Sequence, residues 1–126
     1  MDIKKTYKFN NEQFILKCFE MVNCMQSNKE KKLTDAEVKV ITEFLILDST
    51  HEHDRFSLRS KRQVIKNLET KGWKIVNHGI NIHLSHLKKK GVVTTNSEKI
   101  KVLHPKLNEA FKNKKLTFTF ELNNDD

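Results

Sequence analysis

Histidine and cysteine are the residues of this sequence that could hold a metal ion or attack a substrate, and their spacing supports neither role. His51 and His53, with Glu52 and Asp54, could chelate a metal, and His83 and His86 share a helix face at i and i+3. Neither set comes with the second pair of ligands that a closed metal site requires. Cys18 and Cys24 lie six residues apart on one predicted helix, so their side chains point in different directions, and we expect two reduced thiols. The sequence also lacks a glycine-rich phosphate loop, a nucleophile elbow and a His-Glu-x-x-His motif. We therefore expect a protein that is not an enzyme, with no catalytic residue, metal or cofactor.

A second set of polar side chains lies on one predicted helix, from about residue 77 to residue 90. Ile80, Leu84 and Leu87 stand at positions i, i+4 and i+7 and predict a narrow stripe that faces the interior. With about 100° per residue, the residues of the outward arc are then His78, Asn81, Ile82, Ser85, His86 and Lys89. Most of these can hydrogen-bond to a ligand. The alternative is that the arc is an ordinary solvated or protein-covered surface.

Basic residues are concentrated in the second half of the chain. The net charge is −2 over residues 1–54, +13 over residues 55–115 and −3 over residues 116–126, which gives +8 in total. An excess of this size favours a polyanionic partner, because the like charges repel each other unless an anion meets them. The alternative is a solvated lysine-rich surface in a chain with 21 Lys and 3 Arg.

A single domain of 126 residues must position these groups. Three Gly and one Pro are too few for an all-β chain, so helices should dominate. No apolar run reaches the roughly 18 to 20 residues of a membrane span, and the N-terminus lacks the apolar segment of a secretory signal. We expect a cytoplasmic protein with no membrane partner. The small size and the excess of Lys over Arg, which low-GC genomes tend to produce, favour a bacterial cell or a phage-infected cell as its source.

Local signals predict two helices in the first half of the chain. Asn10 or Asn11 can cap a helix that runs to about Met25. Thr34 and Glu37 have the spacing of a capping box, so a central helix should begin there.

The same kind of signal predicts two more helices separated by a turn. Ser57 or Ser60 can cap the third helix, and Gly72 suits the left-handed position that ends it. Asn77 can cap the fourth helix, which carries the polar arc, and Gly91 suits its end.

Short β-prone segments complete the pattern. Residues 92–95 and 99–103 predict a hairpin with a basic second arm. Residues 106–115 predict a short helix, residues 116–122 alternate like a half-buried strand, and residues 3–9 could form a short strand or an extended arm. The expected fold class is mainly α with a small β-hairpin (α+β).

This order of elements, helix, helix, turn, helix and basic hairpin, is that of a winged helix-turn-helix. Residues 75–93 resemble the recognition helix and first wing strand of bacterial winged-helix regulators. In that family the pattern His-Leu-x-x-Leu-x-x-x-Gly-hydrophobic ends the helix, and His83-Leu84-Ser85-His86-Leu87-Lys88-Lys89-Lys90-Gly91-Val92 fits it. The resemblance covers about residues 33–105, and we see no family match for residues 1–30 or 106–126. The single domain would then comprise an N-terminal arm and helix (1–32), a winged-helix core (33–105) and a C-terminal helix, strand and acidic tail (106–126).

The resemblance implies that the protein binds double-stranded DNA as a small sequence-specific transcriptional regulator. Helix 77–90 would enter the major groove, with the outward arc as base readers, and the wing, residues 92–103, would lie on the backbone. The cations expected to contact phosphates are Arg59, Lys61, Arg62, Lys66, Lys88, Lys90, Lys99 and Lys101.

Two expectations concern protein partners. Winged-helix regulators commonly pair through elements outside the motif, so we expect a homodimer formed by the N-terminal helix and the C-terminal strand. The alternative function is a winged-helix module for protein contacts, a structural or accessory component of a larger phage or replication assembly. The apolar Ile82 on the outward arc and the alternating residues 116–122 favour that alternative.

Overall fold

The computed structural model describes residues 9–98, 101–115 and 122. Three predicted features lie wholly or mostly outside the described residues. They are Lys99, the N-terminal arm, of which only Phe9 is described, and the strand at 116–122, of which only Leu122 is described. The elements of the described part, in order, are α1 (Asn11–Met25), α2 (Asp35–Leu45), α3 (Leu58–Thr70), α4 (Asn77–Lys89), β1 (Val93–Thr95), β2 (Lys101–Leu103) and α5 (Pro105–Asn113). The predicted fold class is confirmed: the protein is mainly helical, with a small two-stranded antiparallel sheet.

Reciprocal side-chain caps start the first two long helices. Asn10 Oδ1 accepts a hydrogen bond from the Gln13 N–H at 2.8 Å, and Gln13 Oε1 accepts one from the Asn10 N–H at 3.0 Å. The predicted capping box at the start of α2 is also present, with the Glu37 N–H donating to Thr34 Oγ1 at 3.1 Å. Each capping box gives a hydrogen-bond acceptor to two backbone N–H groups that have no carbonyl partner within the helix.

The start of α4 differs from the prediction. Asn77 is not the N-cap but the first helical residue, and Val76, in an extended conformation, occupies the cap position without a side-chain hydrogen bond. The Val76 carbonyl already accepts the N–H of Ile80 at 3.1 Å, so the first turn closes one residue earlier than the polar side chain suggests. Gly72 and Gly91, with φ of +90° and +84°, occupy the left-handed positions predicted after α3 and α4.

The core is built around α2, which packs against α1, α3 and α4. Val40, Ile41 and Phe44 of α2 are fully buried. The stripe predicted on α4 is confirmed, since Ile80, Leu84 and Leu87 are each 0% exposed. Two residues of α3, Val64 and Leu68, are also fully buried.

The hairpin is anchored at its base. Val93 pairs with Leu103, Thr94 with Val102 and Thr95 with Lys101 in antiparallel register. Val93 and Leu103 are buried, and β1 packs against α4. The base of the hairpin is therefore packed against α4.

Helix α5 covers part of α1. The ring of Phe111 lies 6.3 Å from that of Phe14 and 5.8 Å from that of Phe19, measured between centroids. The apolar stripe of α1, for which we expected a second subunit, is thus partly covered within the same chain. Among the described residues, no helix is long and apolar enough to cross a membrane.

Candidate nucleic-acid interface

The outward side of α4, called here the α4 face, consists of the six residues predicted from periodicity. Five of its side chains are exposed: His78, Ile82, Ser85, His86 and Lys89. The face results from the burial of Ile80, Leu84 and Leu87 on the opposite side of the same helix. It offers imidazole, hydroxyl and ammonium groups along about 20 Å of helix.

Asn81 is less accessible than the sequence suggests. It is half-buried, and its Oδ1 atom is buried without a hydrogen-bond partner among the described residues. A two-bond contact to a ligand through both amide atoms therefore requires rotation of the Asn81 side chain.

Lys90, predicted as a phosphate contact, has an acidic partner within the protein. Its ammonium forms an ion pair with Glu37, and the two side chains are 17% and 2% exposed. Burial raises the pKa of Glu37, but hydrogen bonds from Lys90 and Thr34, with the charge of Lys90, outweigh it and hold that pKa below its ordinary value. The pair joins the end of α4 to the first turn of α2. His86 lies at the edge of this pair, with Nδ1 3.9 Å from Glu37 Oε2.

Arg59 is partly neutralised by its own neighbours. Its Nη2 lies 3.1 Å from Asp54 Oδ1 and also donates to the carbonyl of Thr50. The hydrogen bond from Arg59 is the main reason that the pKa of Asp54 is lowered. Arg59 keeps about half of its side chain exposed, so it can reach a ligand only in exchange for, or together with, Asp54.

Lys61 of α3 and Lys101 of β2 form a cationic pair across two elements. Burial lowers the pKa of Lys61, and the nearby positive charge of Lys101 lowers it further. Both side chains are half-buried, and neither has an acidic partner within the described part of the chain. The positive potential between them is therefore not neutralised by the protein itself.

Three more predicted cations, Arg62, Lys66 and Lys88, are exposed and also have no ion pair among the residues that the structure describes. Arg62 and Lys66 belong to α3, and Lys88 to the last turn of α4. Two of the elements that pack against α4 are α3, which carries Arg62 and Lys66, and β1 of the hairpin.

Sequence reasoning missed a buried polar contact beneath α3. His51 is buried, and its Nδ1 lies 2.8 Å from Ser60 Oγ, which donates to the Asp54 carbonyl at 2.9 Å. Ser60 is 0% exposed, so this pair holds the loop before α3 in place and offers no hydroxyl to a substrate. No group of three or more His, Cys, Asp or Glu residues in the described ranges could hold a metal ion.

The cysteines are separate in space as well as in sequence. Cys18 is buried and Cys24 is exposed, and both are free thiols. Burial raises the pKa of the Cys18 thiol, which makes it a weak nucleophile.

Comparisons with protein-family models, characterised proteins and solved structures gave no match for this chain. The resemblance to winged-helix regulators thus rests on residues 75–93 and on the order of the elements.

Proposed function

We propose that the protein binds double-stranded DNA as a small transcriptional regulator, with α4 in the major groove and the hairpin along the phosphate backbone. The observation that carries the proposal is the exposed polar α4 face together with Lys61 and Lys101, two neighbouring cations that have no acidic partner among the described residues. A phosphate near these two ammonium groups would relieve their mutual repulsion.

The shape and chemistry of α4 support major-groove binding. The groove is about 12 Å wide and accepts a helix of about 10 to 12 Å diameter. Serine, histidine and lysine on the α4 face can meet the donors and acceptors that distinguish base pairs there. The buried stripe of Ile80, Leu84 and Leu87 packs α4 against the core on the side opposite the α4 face.

The ion pairs are unevenly distributed over the elements of the protein. Lys71 is bound by Glu12 of α1 and Glu43 of α2, and Lys90 is bound by Glu37 of α2. The carboxylates of α1 and α2 thus neutralise cations that face them. Four cations of α3 and β2, Lys61, Arg62, Lys66 and Lys101, have no ion pair among the described residues, which supports polyanion binding through them.

Selection of preferred sites from a random duplex library tests the proposal. The salt concentration should be about 0.15 M, because lower salt strengthens sequence-independent phosphate attraction. An enriched sequence supports a sequence-specific regulator, and paired half-sites about one helical turn apart would support the homodimer. Folded protein that enriches no sequence contradicts the regulator.

A module for protein contacts, in a larger phage or replication assembly, is the second candidate. It is favoured by the two exposed apolar side chains Val76 and Ile82, which are 66% and 41% exposed at the start and on the outer side of α4. The Ile82→Asp variant tests this second candidate. It should abolish a protein complex if Ile82 is an interface anchor.

A further inference from the structure

A cleft of about 500 Å3 opens between α1, α2 and the turn that joins α3 to α4. Its apolar part includes Leu16, Val38 and Trp73, and Leu16 is 40% exposed. The volume lies within the roughly 300 to 1,000 Å3 of typical small-molecule sites. None of these residues belongs to the α4 face or to its cations.

The charged residues of the cleft are mainly acidic. It is lined by four carboxylates, Glu12, Glu20, Asp35 and Glu43, and by the ammonium groups of Lys39 and Lys71. The lining residues themselves carry an excess of two negative charges in a chain whose total is +8, and Lys17, outside the lining, lies 3.5 Å from the carboxylate of Glu20. This excess favours a positively charged occupant.

Two carboxylates of the cleft already bind an ammonium group, that of Lys71. Its ammonium is held by Glu43 and lies 3.2 Å from Glu12 Oε1. The hydrogen bond to Glu43 is the main reason that the pKa of Lys71 is raised. In the same cleft, Lys39 Nζ lies 5.3 Å from the centre of the Trp73 ring, a cation–π distance.

Two buried acceptors of the cleft lining are incompletely used. Glu43 and Thr42 are each only 2% exposed. Glu43 Oε2 and Thr42 Oγ1 have no hydrogen-bond partner among the described residues. Buried polar atoms of folded proteins usually have a partner, so these two atoms leave hydrogen-bonding capacity in the cleft lining that a bound donor could use.

We propose that this cleft binds a small organic cation, in which an ammonium group is attached to a compact apolar body. The ammonium meets the carboxylates of α1 and α2 and donates toward Glu43, while the apolar body covers Leu16, Val38 and the Trp73 ring. Recognition requires both parts, because the apolar surface alone accepts uncharged molecules and the carboxylates alone accept metal ions or free lysine side chains.

The cleft also includes a residue of the turn that precedes α4. Trp73 lies in the turn before α4, and its ring is 6.0 Å from the ring of His83 on that helix. An occupant that moves Trp73 therefore acts on the orientation of α4. A resulting change in DNA affinity rests on the proposed function, whereas binding of the cation does not.

Fluorescence of Trp73, the only tryptophan of the chain, reports binding directly and without DNA. The full chain is titrated with phenethylamine, hexylamine and agmatine, and with 2-phenylethanol and phenylacetate as neutral and anionic analogues of the first. We expect a saturable change with at least one amine, and at least tenfold weaker binding of the neutral and anionic analogues. Absence of a saturable change with all three amines, or equal binding of the analogues, overturns the proposal.

Three variants locate the site. Glu43→Gln should weaken amine binding at least tenfold, and Glu69→Gln, at an exposed position of α3 outside the cleft, should leave it unchanged. If Glu43→Gln does not fold, Leu16→Lys replaces it, because Leu16 is partly exposed and an added ammonium there should exclude the amine. Unchanged amine affinity in the folded cleft variant places the amine elsewhere and overturns the proposal.

Discussion

The ammonium of Lys90, at the end of α4, binds the carboxylate of Glu37, which is 1% exposed in the first turn of α2. The two residues are 53 positions apart in the chain. Glu37 also accepts a hydrogen bond from the Thr34 N–H at 2.8 Å, so one carboxylate both caps α2 and fixes the end of α4. The contact joins the end of α4 to the first turn of α2.

We expect Lys90→Met to lower the free energy of unfolding by about 2 to 3 kcal/mol, since it leaves a buried carboxylate without its cation. Urea unfolding monitored by circular dichroism measures the change. Lys89→Met, at an exposed position of the same turn, should change the stability by less than about 0.5 kcal/mol. Equal effects of the two substitutions would show that the ion pair does not support the fold.

The stability should fall in acid because of Glu37. Its folded-state pKa lies below the ordinary value of 4.5, so the ionised carboxylate contributes stability at pH values above 4.5. That contribution is lost as the pH falls through the folded-state pKa. The lowered pKa values of Asp48 and Asp54 act in the same direction.

Urea unfolding at a series of pH values from neutral to acid measures this dependence. Glu37→Gln should give a less steep decline than the unsubstituted protein, because one of the groups that lose their charge is absent. A decline of unchanged steepness would contradict the role assigned to Glu37.

The cationic pair predicts a salt dependence. For a fixed duplex, Lys61→Ala and Lys101→Ala should each reduce the slope of log affinity against log salt concentration by about one unit. Lys17→Ala removes the same charge from α1, where Lys17 lies beside Glu20, and should leave the slope unchanged. Fluorescence anisotropy at several salt concentrations gives the slopes. If Lys17→Ala lowers the slope as much as the other two, the charge effect is not localised on α3 and β2.

Asn81 and Lys88 should affect binding differently. Asn81→Ala should relax the preference at one base position, with a loss of about 1 to 3 kcal/mol of discrimination. Lys88→Ala should weaken all sequences by a similar factor, because an exposed lysine at a phosphate carries no base information. Competition between the selected duplex and single-base variants distinguishes the two. Retention of the full preference by Asn81→Ala would mean that the half-buried amide does not read a base.

Features set by local spacing could be predicted from the sequence. The stripe Ile80, Leu84 and Leu87 is buried as predicted because the helical repeat alone places these residues on one side. The capping box of Thr34 and Glu37 spans three residues and depends on nothing distant.

Features that join distant residues could not be predicted. Glu37, the partner of Lys90, lies on another helix, so the sequence alone predicted that the ammonium of Lys90 was free to contact a phosphate. The cover that Phe111 provides for α1, and the cleft between α1 and α2, likewise depend on how helices pack. The N-cap of α4 was also predicted wrongly. The helix begins at Asn77 itself, and Val76, whose side chain forms no cap hydrogen bond, occupies the cap position.

The most direct test of DNA binding by the α4 face is to place a negative charge on it. Ser85 is exposed at the middle of the face, and Ser27 is exposed in the connector between α1 and α2, so Ser85→Asp and Ser27→Asp are matched substitutions. The measurement is the dissociation constant of each variant for the selected duplex at about 0.15 M salt. We predict at least tenfold weaker binding by Ser85→Asp and unchanged binding by Ser27→Asp. Binding of the duplex by folded Ser85→Asp with the affinity of the unsubstituted protein would contradict the proposal that α4 enters the major groove.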